Sequence, residues 1–272
     1  MNKEVRTKED GYMSKKEQVM AVITKQECMT GEIFEMRIKV EGIAKEAKAG
    51  QFVSLYCKEG GRLLPRPISI CGIDKEKGEL RLVYRIAGEG TREFSKMKAG
   101  DEITVTGPLG NGFMTEDLKE GMHAVLLGGG IGIPPMLELA KVLPGEKTIV
   151  LGYRDADTFL AKEFEAYGKV LIASDNGAVG VKGNVIDAMK AEGVTGDLFF
   201  ACGPKPMLRG IKEYAAGQGA RAQLSLEERM ACGIGACLAC VCKTTKVDEH
   251  SQVNNTRICK EGPVFYAEDI EL

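Results

Sequence analysis

The sequence predicts an antiparallel β barrel followed by an α/β domain with a doubly wound parallel sheet, and then a small cysteine-rich module. Three observations predict it. Apolar and polar residues alternate with a period of two between residues 19 and 115. Short apolar runs then alternate with helix-like stretches. From Leu226 onward both rhythms stop, and five of the nine cysteines fall there.

Composition bounds what such a chain does. At 272 residues, 44% hydrophobic and 28% charged, it has the apolar content for two domains and a module at roughly 150 residues per domain. A net charge of −2 without a long run of one sign argues against a nucleic-acid surface. The absence of Trp removes the best stacking platform for single strands. No run approaches the roughly 18 apolar residues of a membrane span. Residues 1–17 are polar and lack the apolar core of a secretory signal. They are expected to be a disordered extension, with Met13 as an alternative start. A cytoplasmic location follows as the expectation, and in a reducing compartment clustered cysteines point to metal rather than disulfides.

Residues 18–117 are expected to form the barrel. Phe34, Met36, Ile38 and Val40 alternate with Glu35, Arg37 and Lys39, and Leu80, Leu82, Tyr84 and Ile86 repeat the pattern. Turns at Lys58–Gly61, Asp74–Gly78 and Ala99–Asp101 separate the strands. Cys28, Cys57 and Cys71 in or beside these strands read as small buried hydrophobes.

Residues 118–223 are expected to form the α/β domain. Apolar runs at His123–Leu127, Lys147–Tyr153, Val170–Ser174 and Leu198–Ala201 alternate with helical stretches after Pro134, over Asp157–Tyr167, over Asn184–Glu192 and after Pro206. Ligands of such sheets bind at the carboxyl ends of the strands.

Residues 224–272 form the module. Cys232-x4-Cys237-x2-Cys240, with Cys259 eighteen residues further on, has the plant-type [2Fe–2S] ligand spacing. Four thiolates must surround one small rhomb, and Gly233 and Gly235 let the loop curl around it. Cys242 is the alternative fourth ligand, but two residues from Cys240 on an extended chain it points to the opposite face. A zinc knuckle using His250, or free thiols, are the other readings of the cluster.

Four further motifs suit phosphate, flavin or nicotinamide. Arg66-Pro67-Ile68-Ser69 opens an apolar strand, where an arginine can pair with a pyrophosphate and a serine hydroxyl can reach a flavin ring. Gly88-Glu89-Gly90-Thr91 precedes a short helix, with Thr91 expected as its N-cap. Gly130-x-Gly132-x-x-Pro135 follows a strand and opens a helix, although Pro135 stands in the third glycine's place of the usual dinucleotide fingerprint. Cys202-Gly203-Pro204 puts a thiol at a strand's carboxyl end. Asp175, after the third apolar run, can accept from a ribose hydroxyl and repel a 2′-phosphate, or simply shape an Asx turn.

Together these motifs resemble the ferredoxin–NADP reductase superfamily over nearly the whole chain after residue 18. Glu228–Cys242 and Ile258–Phe265 are similar to the electron-transfer subunits of NAD-linked, two-subunit dihydroorotate dehydrogenases. The resemblance implies an FAD barrel, a nicotinamide domain and a [2Fe–2S] module. It carries over Arg66, Pro67, Ile68, Ser69, Val83, Tyr84, Arg85, Gly90 and Thr91 as FAD contacts. Gly130, Gly132, Asp175 and Cys202 are the expected nicotinamide-side residues, and Cys232, Cys237, Cys240 and Cys259 the cluster ligands. Ile68 stands where many members place an aromatic on the flavin, so Tyr84 is the candidate to cover the ring. The implied partner is an FMN-containing catalytic subunit, two of each in a heterotetramer, with electrons passing from FMN through the cluster and FAD to NAD+ in pyrimidine biosynthesis. No catalytic acid–base pair is expected. Two rival readings stand beside this one: another flavin/iron–sulfur NAD(P)H reductase subunit, serving an oxygenase or ferredoxin:NADP reduction, and a non-enzymatic redox-sensing or zinc-binding module.

Overall fold

The computed structural model describes residues 16–58, 60–247 and 252–272. Almost all of the extension expected for residues 1–17 lies outside these, as does His250. Glu17 already belongs to the first strand.

The barrel is built by β1 (Glu17–Thr30), β2 (Ile33–Lys39), α1 (Glu41–Glu46), β3 (Phe52–Tyr56), β4 (Arg66–Asp74), β5 (Glu79–Arg85), α2 (Glu89–Phe94) and β6 (Glu102–Leu109). Its strands close antiparallel in the order β1-β2-β5-β4-β3-β6. The period-two pattern sends Met36, Ile38, Leu80, Leu82, Ile103 and Val105 into one dry interior. Helix α1 is too short to show a helical period in sequence. Of the three barrel cysteines only Cys71 is buried; Cys57 is half-buried and Cys28 exposed, because Cys28 falls on the outward row of β1 near the hairpin.

The second domain follows with β7 (Ala124–Gly129), α3 (Ile133–Val142), β8 (Lys147–Tyr153), α4 (Ala161–Phe164), β9 (Lys169–Ser174), β10 (Val181–Lys182), α5 (Val185–Ala191), β11 (Leu198–Cys202), α6 (Lys205–Gly217) and β12 (Arg221–Ser225). β7 to β12 run parallel in the order β10-β9-β8-β7-β11-β12. On one face Ile133, Met136 and Phe164 cover Leu126, Ile149 and Phe200; on the other Val185, Met189, Leu208 and Ile211 cover Val125, Leu127 and Phe199. The sheet is therefore doubly wound, and its order reverses at β7 and β11, where a ligand crevice belongs.

Asn184 starts α5 as expected, its Oδ1 accepting from the Ile186 and Asp187 amides at 2.8 and 3.3 Å. The helix expected over Asp157–Tyr167 shrinks to the four residues of α4. Leu160 sits at φ 66°, in the left-handed region that interrupts a right-handed helix.

The module adds β13 (Val241–Lys243), β14 (Asn255–Arg257) and β15 (Val264–Tyr266). β13 and β14 pair with each other, while β15 joins the edge of the main sheet antiparallel to β12. Cys240, Ile258, Cys259 and Ile270 share a core with Phe199 and Leu224, so the module is welded to the α/β domain.

Polar clasps fix the barrel to the α/β domain. Arg81 of β5 donates to both carboxylate oxygens of Glu163 beside it, at 2.6 and 2.9 Å, and to Glu35 of β2. Burial alone raises the Glu35 carboxyl, but Arg37 and Arg81 outweigh it and hold the group below its usual range. Thr30 donates to Asp157 at 2.9 Å.

Candidate functional site

The strand period divides the flavin-side residues. On β4, Ile68 packs with the barrel core and only 9% of it stays open, whereas Cys71, on the other row, belongs to the core shared with the α/β domain. On β5, Val83 and Arg85 lie on the outer row, with Val83 in that same interdomain core. Tyr84, expected to cover the flavin ring, is 2% exposed and belongs to the barrel core. It continues the inward row of Leu80 and Leu82, its ring lies between Phe34 and Phe94, and its hydroxyl accepts from Gln26 Nε2 at 2.8 Å. Burial raises this phenol to about 12.

Arg66 and Gly90 meet. A Cβ on Gly90 would stand 2.4 Å from Arg66 Nε, so the guanidinium lies directly on the first turn of α2. Glu89 puts one carboxylate in that turn, and the guanidinium together with the free amides of the turn can hold a further anion such as a pyrophosphate. Thr91 is not the N-cap expected from sequence. The N-cap is three residues earlier, at Gly88, so the helix begins at Glu89, and the Thr91 hydroxyl accepts from the Ala87 and Gly88 amides at 2.9 and 3.2 Å. Its role is to brace the loop that carries Gly90.

Across the domain boundary, Gly130 adopts φ 54° and opens a single 3-10 turn through Gly132. This turn approaches β5. A Cβ on Gly132 would lie 2.3 Å from the Cys202 carbonyl oxygen and 2.7 Å from the Gly203 amide. The Gly130 loop and the Cys202-Gly203-Pro204 loop thus touch by backbone, at the ends of neighbouring strands β7 and β11. Cys202 is half-buried, its thiol pushed up to about 12 by burial despite the Ser225 hydroxyl within bonding reach. Asp175 is exposed just beyond β9, and the Asx turn there is made by Asn176, whose Oδ1 accepts from the Ala178 amide at 2.9 Å. The Gly132→Ala variant is expected to lose about 1–3 kcal/mol of stability by overpacking and to bind NADH more weakly, read by thermal unfolding and by titration.

In the module, Gly233 at φ 68°, Gly235 at φ 88° and Leu238 at φ 57° curl the cysteine loop. Cys232 Sγ accepts from the Ile234 and Ala236 amides at 3.5 and 3.3 Å, and Cys240 Sγ from the Cys259 amide at 3.4 Å. Burial would raise the Cys232 thiol, but these donors and Cys237 bring it down to about 6. Burial, then the neighbouring Cys240, pushes Cys259 up to about 12. The thiols stand as two pairs, Cys232 with Cys237 and Cys240 with Cys259, which suits two irons taking two thiolates each. No set of three or more such side chains among the described residues has the spacing of a single metal ion. Cys242 is in β13 with Thr256 as its register partner, and it packs against the core that holds Cys240 and Cys259.

The cysteine loop rests on the barrel. A Cβ on Gly233 would stand 3.0 Å from Ser54 Oγ, and Ser54 of β3 is the register partner of Pro67. Cluster loop and Arg66–Ser69 strand are therefore neighbours. Ser54 and Ser225 carry no motif. Ser225 ends the strand pattern of β12, where it is the register partner of Cys202.

Comparison with known proteins agrees with this arrangement. Residues 19–113 match the oxidoreductase FAD-binding domain family, and residues 227–271 match the iron–sulfur cluster binding domain of dihydroorotate dehydrogenase B. The chain is 43% identical to the dihydroorotate dehydrogenase B (NAD(+)) electron transfer subunit of Listeria monocytogenes serotype 4a, over 93% of this chain and 98% of that one. The chain belongs to this family of electron transfer subunits. The subunit of the same name from Caldanaerobacter subterraneus is 40% identical over 89% of this chain and 94% of that one. Among solved structures, a chain of the NADH-dependent reduced ferredoxin-NADP oxidoreductase superposes with a TM-score of 0.81 at 31% identity, over 93% of this chain and 90% of that one. A ferredoxin NADP+ reductase from Neisseria gonorrhoeae with bound FAD and NADP shares the fold at a TM-score of 0.62 and 18% identity, over 74% of this chain and 92% of that one. The two matched domains are the barrel, which carries Arg66 and Gly90, and the module, which carries the paired thiols.

Proposed function

We propose that this chain accepts electrons from a dihydroorotate-oxidising, FMN-containing catalytic subunit and delivers them to NAD+, in a heterotetramer with two copies of each subunit. The observation that carries the reading is the position of the Arg66–Ser69 strand. The cysteine loop flanks it through Ser54, and the Gly130–Gly132 turn approaches β5 beside it. Bound there, FAD exchanges single electrons with an iron–sulfur cluster and a hydride with NAD.

The chain's own residues hold and insulate these groups. Arg66 and the first turn of α2 neutralise the flavin pyrophosphate, with Thr91 bracing the loop. Ser69 offers a hydroxyl to the flavin, and Pro67, Ile68, Val83 and the backbone of Tyr84 and Arg85 shape its seat. Cys232, Cys237, Cys240 and Cys259 hold the cluster, and amides of the curled loop donate to their sulfurs, which favours the reduced state. Gly130 and Gly132 let the nicotinamide pyrophosphate approach backbone, and Cys202 lines the crevice at β11. Among the described residues no helix is long and apolar enough to cross a membrane. Cysteines clustered as metal ligands rather than disulfides suit a reducing, cytoplasmic setting.

Co-expressed with its catalytic subunit, the chain should support dihydroorotate-dependent NAD+ reduction in a step of pyrimidine biosynthesis. Alone, it should pass electrons from NADH to dyes and leave dihydroorotate untouched. Dihydroorotate oxidation by the isolated chain would overturn the division of labour. Preference for NAD over NADP rests on Asp175. Asp175→Ser is expected to raise the NADPH/NADH ratio of kcat/KM by roughly tenfold, and an unchanged ratio removes Asp175 from the selection.

A further inference from the structure

The interdomain boundary holds a buried carboxylate that none of the motifs includes. Glu138 lies on α3 and is 4% exposed. Its Oε2 accepts from the backbone amide of Ile73 in β4 at 3.0 Å. One turn further along α3, Lys141 donates from Nζ to the Ile73 carbonyl at 3.2 Å. The reason is in the register. β3 pairs with β4 only from Arg66 to Ser69, and β4 bulges against β5 between Ile70 and Gly72. Beyond that bulge Ile73 has no strand on its β3 side, and both of its peptide groups are taken by one helix of the other domain. Gly72 lies beside the carboxylate, a Cβ there standing 4.0 Å from Glu138 Oε2 in ordinary contact. A buried peptide N–H is satisfied in this way, and the exposed Lys141 balances the carboxylate with its Nζ 3.7 Å from Glu138 Oε2. Burial also raises the Glu138 carboxyl above its usual range.

The two ends of this clasp lead to the two halves of the site. β4 begins with Arg66–Ser69, and α3 begins where the Gly130–Gly132 turn ends. Ile73 is four residues from Ser69, about 13 Å along a strand, and Glu138 is five residues from Ile133, about 7.5 Å along a helix. Strand and helix are stiff, so the Ile73–Glu138 contact sets where the nicotinamide loop stands relative to the flavin strand. We propose that Glu138 is a positioning residue for hydride transfer between NAD(H) and FAD, acting through its hydrogen bond to the Ile73 amide. The proposal rests on the reading of the site given above.

The test uses the full complex with its catalytic subunit. In stopped-flow experiments, Glu138→Ala is expected to slow reduction of FAD by NADH by about 10- to 100-fold, the loss that a misplacement near 1 Å produces. NADH affinity should stay within about twofold, and flavin reduction from the dihydroorotate side should be unchanged, because that route does not cross the clasp. Independently of turnover, hydrogen exchange of the β4 segment around Ile73 should quicken by about tenfold on loss of this bond. Glu138→Gln keeps an acceptor oxygen and is expected to restore both readouts. Should Glu138→Ala fail to fold, Glu138→Asp carries the same test, since it withdraws the carboxylate by about one 1.5 Å bond and keeps the charge. A hydride rate within twofold of wild type, a glutamine variant as slow as alanine, or equal slowing of both flavin reductions overturns the proposal. If the wild-type complex itself is not reduced by NADH, the reading of the site fails, and the proposal with it.

Discussion

Cys259→Ser is expected to yield a subunit that keeps its flavin and loses its cluster. The iron–sulfur absorbance and the low-temperature EPR signal of the reduced protein should vanish, and dihydroorotate-to-NAD+ electron flow in the complex should fall by at least about 100-fold, beyond the range seen for outer-shell changes. NADH-to-dye reduction at the flavin should remain near wild type, since the barrel supplies that site. The thiols are paired: the Cys259 amide donates to Cys240 Sγ, and the two residues are buried together on the inner side of the loop. Cys242 provides the control. It sits two residues beyond Cys240 in β13, and Cys242→Ser should keep both the cluster and the electron flow. If the serine at 242 is the damaging change and the one at 259 is silent, the ligand set is wrong.

The second large effect is expected at Arg66. Arg66→Ala removes the cation that lies on Gly90, and with it a charge-assisted contact to the pyrophosphate worth about 1.5–3 kcal/mol. FAD affinity should drop by roughly 10- to 100-fold, read by flavin release on dilution or by titration of the apoprotein. Gly90→Ala should reproduce much of this loss without touching a charge, because its Cβ would stand 2.4 Å from the Arg66 Nε and push the guanidinium aside. Arg66→Lys should recover only part, as a point charge does not reproduce the planar fork. Full FAD retention in both Arg66→Ala and Gly90→Ala would remove this pair from the flavin site.

Much of this architecture is legible in the sequence because period two and the strand–helix alternation are strong signals over many residues. Leu80, Leu82 and Tyr84 announce an inward row, and the run from Ala124 to Gly132 announces a strand, a turn and a ligand crevice. The pattern says which residues share a face, but not what that face meets. That is why Tyr84 reads as a flavin cover and proves to be a barrel-core residue. Short elements fail for a different reason. α1 spans six residues and β15 three, fewer than a periodic signal needs. α4 is cut short by a backbone angle at Leu160, a residue type that gives no warning of it.

The site follows the same division. Its glycines, Arg66 and the four cysteines stand out by type and spacing. The meetings between them do not. Gly132 abuts the backbone of Cys202 and Gly203, Arg66 lies on Gly90, and Gly233 rests on Ser54. Each is a contact between segments far apart in sequence, set by how the sheets close. Glu138 is the extreme case, a glutamate on an apolar helix whose purpose is visible only opposite the unpaired edge of β4.

The central claim is that one polypeptide holds a two-electron and a one-electron centre side by side. An anaerobic reductive titration of the native subunit, followed by absorbance and EPR, tests it most directly. The account predicts three electrons per chain, two bleaching the flavin and one producing the EPR signal of a reduced [2Fe–2S] cluster. Uptake of only two electrons with no such signal, or of none at all, would contradict it.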